Sequence, residues 1–192
     1  LQMCDDFIAA FPREDRAYNE KAEVLIELNR LDDAKQVLQN TIFNAVDGKS
    51  PILAPQCCLT YLRNLLNSSN DYDLIIKVAT QGLVATATDE NSAHFGYFVY
   101  RIALAKDAQV VDSGFDNRDK VKEALDWYQN AFDSAIPIRR EKAAQRYLFI
   151  RQNSKYPIDQ PLIKHEQFQP DPERLRRDLI TAAKKIQEET GE

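Results

Sequence analysis

Residues 15–46 read DRAYNEKAEVLIELNRLDDAKQVLQNTIFNAV. Tyr18, Ala22 and Leu25 stand three and four apart ahead of the run Asn29-Arg30-Leu31-Asp32-Asp33, and Ala34, Leu38 and Thr41 resume that spacing after it. Side chains at i, i+3, i+4 and i+7 share one face of an α-helix, so the stretch predicts two short helices joined by a tight turn. The second half recurs at 121–131, where Val121, Ala124, Tyr128 and Ala131 occupy the offsets of Leu31, Ala34, Leu38 and Thr41. A helix pair of about 34 residues that repeats cannot bury its apolar face alone, and stacking pair on pair solves that problem. The expected fold is therefore all-α.

Composition agrees. The 192 residues are 44% hydrophobic and 29% charged, with only 5 Gly and 8 Pro, a balance that favours helix over sheet and order over disorder. Net charge is −5, which argues against indiscriminate nucleic-acid binding. From residue 137 onward, however, 12 Lys/Arg face 9 Asp/Glu, so the acidity is concentrated in the earlier part. Cys4, Cys57 and Cys58 are odd in number and lack the spacing of a disulfide framework, and two histidines are too few for a local zinc cluster. No apolar run reaches the roughly 18–20 residues needed to span a bilayer, and no leader is visible. The expected location is intracellular, cytoplasmic first and nuclear second. Residue 1 is Leu and already lies in a helical pattern, as expected for a piece of a longer protein.

Along the chain, residues 2–11 read as a helix stopped by Pro12, with Phe7, Ala10 and Phe11 as its buried side. Helices follow at about 15–29 and 32–45, then a break at Gly48-Lys49-Ser50-Pro51. Pro55 suits the first turn of a helix at about 54–67, and the turn Asn67–Asp71 leads to another at about 71–86. An aromatic-rich helix is expected at about 92–110, a loop around Gly114, and helices at about 118–135 and 137–153. The last of these carries Arg139, Arg140, Lys142, Arg146 and Arg151 against one Glu141. Pro157, Pro161, Pro170 and Pro172 make 154–172 an extended, proline-rich segment packed on the body. Residues 173–192 read as a C-terminal amphipathic capping helix.

The series Tyr18-x3-Ala22-x2-Leu25, Leu31-x2-Ala34-x3-Leu38-x2-Thr41 resembles a tetratricopeptide repeat (TPR), and Glu123–Ala131 is similar to the second helix of one. Residues 59–82 fit more loosely through Leu59, Leu62, Leu66, Tyr72, Ile75, Ala79 and Gly82, with Ile75 where a small residue is usual. The resemblance spans about 1–136, weakens beyond, and is interrupted near 47–53 and 112–118. It implies a right-handed α-solenoid of antiparallel helix hairpins over residues 1–153. It also implies a concave groove lined by the first helix of each pair and suited to a peptide or partner protein.

No phosphate loop, dinucleotide fingerprint, nucleophile elbow or paired metal-binding histidines are present, so neither an enzyme nor a small-molecule cofactor is expected. His94 reads as structural, His165 as a loop residue, Cys57 as an exposed thiol, and Asp5-Asp6 and Asp32-Asp33 as capping and turn groups. In the phase of the repeat, Arg16, Asn19, Glu23 and Glu27 face the groove, joined by Thr60 and Asn64, then by Gly96 and Tyr100. Arg16, Asn19, Glu23, Asn64 and Tyr100 are the candidate partner-binding residues. Chaperone-binding members of the family grip a C-terminal carboxylate with paired Asn; Glu23 stands where the second Asn would be and would repel it.

The leading expectation is thus a scaffold binding a protein or peptide. The alternative is a regulatory or sensory segment of a larger enzyme or signalling protein. Nucleic-acid binding through the basic 139–177 region, including Arg174, Arg176 and Arg177, is disfavoured, and no membrane role is expected. Ala34→Trp or Ala131→Trp should lower stability by a few kcal/mol through overpacking at a close helix contact. An unchanged melting temperature would show that these alanines face solvent.

Overall fold

The computed structural model describes residues 1–44, 51–86, 94–134 and 137–156. Among them are eight α-helices, one π turn and no strand. They are α1 (Gln2–Ala10), α2 (Asp15–Glu27), α3 (Leu31–Phe43), α4 (Pro55–Thr60) continued by the π turn (Tyr61–Leu65), α5 (Tyr72–Thr86), α6 (Phe95–Asp112), α7 (Arg118–Ser134) and α8 (Pro137–Asn153). The described residues are therefore all-helical, as expected. The proline-rich segment expected over 154–172, beyond residue 156, and the helix expected over 173–192 lie outside the described residues.

Local signals set the helix ends. Asn29 takes φ 57°, Arg30 N–H donates to Leu25 C=O at 2.8 Å and Asn29 N–H to Ile26 C=O at 2.9 Å, which closes α2. Gly114 takes φ 62° and closes α6 by the same pair of bonds, Phe115 N–H to Val110 and Gly114 N–H to Val111. In both turns a residue tolerant of left-handed backbone satisfies carbonyls that the helix leaves over. Asp71 and Asn117 cap α5 and α7 by accepting from Leu74 N–H and Lys120 N–H. The start of α4 is capped from elsewhere: Pro55 is its first residue, and Asp15 of α2 accepts from Gln56 N–H at 2.9 Å and Cys57 N–H at 3.3 Å.

Packing runs along the chain. Each helix lies on its sequence neighbours, and alternate helices touch where α2 meets α4 and α6 meets α8. The shared core is lined by small residues at the contacts, including Ala22, Ala34, Ala79, Ala103, Ala124, Ala131 and Ala143, with Leu38, Phe98, Tyr128 and Tyr147 filling the spaces. Ala34 and Ala131 are both 0% exposed, so the repeated small position is an interior one.

Three expectations need correction. Leu31 is 47% exposed although Val121, at the same offset, is buried; Leu31 is the first residue of its helix, whereas Val121 stands a turn inside α7. Phe7, Ala10 and Phe11 are exposed, and Cys4 and Ile8 form the half-buried side of α1 instead. Among the described residues α1 packs on α2, tied there by Lys21 Nζ donating to Asp5 Oδ1 at 2.5 Å, which leaves the opposite side uncovered. Cys57 and Cys58 are buried, and burial, reinforced by Asp15, pushes the Cys57 thiol far above its ordinary range. Ile75 is buried and large, so the tight contact of α5 is elsewhere, at Gly82.

A Cβ at Gly82 would stand 2.3 Å from Phe98 Cε1, and the Phe98 ring is fully buried. Gly82→Ala gains about 1 kcal/mol of helix propensity but overpacks a rigid ring, a cost of roughly 1–3 kcal/mol. The variant should melt at lower temperature than the parent, and adding Phe98→Leu should recover part of the loss. A rise in melting temperature for Gly82→Ala alone would disprove the close α5–α6 contact.

Candidate functional site

Polar and aromatic contacts link α2 to α4, the π turn to α6, and α6 to α8. On α2, Arg16 Nε donates to Glu20 Oε1 at 2.7 Å, an exposed pair one turn apart. Asn19 Nδ2 donates to Glu23 Oε1 at 3.0 Å, and Thr60 Oγ1 of α4 donates to Asn19 Oδ1 at 2.7 Å. Thr60 is buried, so its hydroxyl ties α2 to α4 rather than facing solvent.

The chain then leaves α-helical register. Leu66 N–H donates to Tyr61 C=O at 2.9 Å, a bond spanning five residues. The extra residue turns Tyr61 and Leu62 inward while Arg63 and Asn64 project outward. From α6, Arg101 reaches back to the end of this turn, donating to Asn67 Oδ1 at 3.2 Å and Leu66 C=O at 3.3 Å. The Arg101 Nε is buried with no partner among the described residues.

Tyr97 of α6 lies between neighbours. The Arg63 guanidinium sits 4.9 Å from its ring centroid and the Arg139 guanidinium of α8 sits 5.1 Å from it. His94, at the head of α6, is held below the ordinary imidazole range by burial and then by the positive field of Arg63 and Arg139. One turn on, the Tyr100 ring meets the Tyr128 ring at 6.5 Å, and burial raises the Tyr100 phenol above its usual value.

Beneath this surface is a charged core contact. Asp107 is 4% exposed and accepts from Tyr128 OH at 2.8 Å, Arg146 Nε at 2.7 Å and Arg146 Nη2 at 2.9 Å. The bidentate pair ties α6 to α8, and the phenol ties both to α7. Burial, reinforced by the adjacent Asp107 carboxylate, pushes the Tyr128 phenol far above its ordinary range.

Of the sequence-derived site residues, Asn19 and Glu23 are brought together with Thr60. Arg16 is apart on Glu20, Asn64 is exposed on the π turn, and Tyr100 is half-buried against Tyr128. Gly96, expected to face the groove, is buried, and its neighbour Tyr97 is half-buried against the Arg63 and Arg139 guanidiniums. Sequence spacing missed Arg63, Tyr97 and Asp107. A signal existed for Asp107, because an acid four residues after Ala103 and three before Val110 falls within a buried stripe and requires a partner. The basic side of α8 is largely engaged: Arg146 with Asp107 and over the Phe149 ring at 4.4 Å, Arg139 on Tyr97, and Arg140 donating to Asp133 C=O at 3.4 Å. Arg174, Arg176 and Arg177 lie outside the described residues.

Among the described residues no cluster of His, Cys, Asp or Glu is suited to hold a metal, and no helix is long and apolar enough to cross a membrane. Compared with known proteins, the chain matches no family model, no curated protein and no solved structure.

Removing one member of the buried pair strands the other. Arg146→Met should cost roughly 2–3 kcal/mol, less than a fully buried pair because the Arg146 side chain is partly solvated. Asp107→Leu/Arg146→Met should lose less than the two single changes combined, since no unpaired charge remains. Thermal unfolding of the three variants gives the coupling, and strict additivity would show that the pair does not interact.

Proposed function

We propose that the chain is a protein-interaction module: a TPR-like, right-handed α-solenoid whose first helices line an open groove that docks an extended segment of a partner protein. The observation that carries this reading is the continuity of one polar face across alternate helices. Asn19 and Glu23 meet Thr60, Arg101 meets Leu66 and Asn67, and Arg63 and Arg139 meet on Tyr97. Such a face presents amide, carboxylate, guanidinium and phenol groups at helical intervals, the mixture that recognises peptide backbone and side chains together.

Two further features support it. Each helix packs on its sequence neighbours, with further contacts of α2 on α4 and α6 on α8, the order of packing expected of a repeat array whose function is carried by its surface. Cys4, Cys57 and Cys58 form no disulfide, which suits a reducing, intracellular compartment. The reading assigns the chain no catalytic step and no cofactor. Nucleic acid is the disfavoured partner, because Arg146 is paired with the buried Asp107 and Arg140 donates to Asp133 C=O, which leaves α8 a smaller free positive charge than its composition suggests.

A photo-crosslinking residue tests the face directly. Placed at Asn64 or at Glu23, it should trap a partner from native lysate; placed at Gln36 of α3 or Lys122 of α7, both exposed on second helices, it should not. Trapping from positions 36 and 122 alone would assign docking to the opposite side and overturn the proposal.

A further inference from the structure

We propose that Arg63, Tyr97 and Arg139 together form an anchor for the carboxylate side chains of an acidic peptide segment lying across α4, α6 and α8. The proposal rests on the groove reading above and adds the chemistry of the partner. Both guanidiniums are held over one ring, at 4.9 and 5.1 Å from its centroid, so their charges lie no more than about 10 Å apart, a separation comparable to the Debye length of about 10 Å at 0.1 M salt. Stacking occupies the face of a guanidinium and leaves its N–H edge for an acceptor. Among the described residues neither Arg63 nor Arg139 has a carboxylate within ion-pair distance, whereas Arg16, Arg30 and Arg146 each do. Two like charges held together, with no carboxylate paired to either among the described residues, are matched by a paired or repeated anion.

Charge along the groove selects the occupant further. At the α2 end Glu20, Glu23 and Glu27 are exposed, while Arg63, Arg101 and Arg139 lie from the π turn to α8. A polyanion of uniform charge, such as a nucleic-acid strand, would be attracted at one end and repelled at the other. The rings are also engaged: Tyr97 by the two guanidiniums and Tyr100 by Tyr128, so base stacking has no open platform there. A peptide can carry acids where the arginines are and neutral or basic residues opposite α2.

Fluorescence anisotropy with the full chain tests the anchor. The probes are a labelled glutamate octapeptide, a lysine octapeptide, a glycine-serine octapeptide and an oligothymidine of eight nucleotides. The glutamate probe should bind saturably at low salt and weaken as salt rises, and the lysine and glycine-serine probes should not bind. Arg63→Gln/Arg139→Gln should weaken the glutamate probe by at least about tenfold with an unchanged helical spectrum. Arg63→Gln alone, at an exposed position, should give a smaller loss in the same direction. The anchor is refuted by a folded chain that ignores the glutamate probe, by binding that the double variant leaves intact, or by tighter oligothymidine binding lost in that variant. If crosslinking from Asn64 persists in any of these cases, the groove stands and only its acid preference falls; if it fails as well, the groove reading falls with it.

Discussion

Among the described residues the helices pack by bringing their backbones close, and side chains of minimal size at the interfaces permit it. Ala22, Ala34, Ala79, Ala103, Ala124, Ala131 and Ala143 are fully buried at the interfaces, and Gly82 leaves room for the Phe98 ring that a single added carbon would strike. Once the backbones are close, large residues such as Leu38, Phe98 and Tyr128 interdigitate at near-crystalline density. A hairpin of this kind keeps one apolar face bare until the next hairpin covers it. The order of packing therefore follows the order of the chain.

Polar groups do different work at different depths. At the surface, exposed pairs such as Arg16–Glu20 contribute little, because water screens them and the side chains lose freedom. Buried groups impose geometry instead. Asp15 leaves its own helix to cap α4, and Asp107 accepts three hydrogen bonds from α7 and α8. A buried carboxylate is tolerable only when its lone pairs are matched, so these contacts restrict how the helices can be rotated against one another. The same restriction sets the arginines of α8 at defined places, with Arg146 held inside and Arg139 delivered to Tyr97.

The π turn shows how a small local departure reaches the surface. By adding one residue to a helical turn it keeps Tyr61 and Leu62 in the core while Arg63 and Asn64 project outward. Arg63 can then meet Tyr97 from one side of α6 as Arg139 meets it from α8.

Helical periodicity was readable in the chain because it is local: the spacing from Tyr18 to Thr41, the prolines at 12, 55 and 137, and the turn residues Asn29 and Gly114 act within a few positions of themselves. They determined the number of helices through α8 and their approximate bounds, and that Ala34 and Ala131 are interior. Tertiary structure decided what depends on residues far apart in sequence. The π turn has no propensity signature, the exposure of Phe7 and Phe11 depends on what covers α1, and the link of Asn19 to Thr60 spans 41 positions. Asp107 and Arg146, like Arg63, Tyr97 and Arg139, meet only after α6 and α8 have packed, because a charge or ring acquires its neighbours from the rotation of whole helices and not from its own spacing.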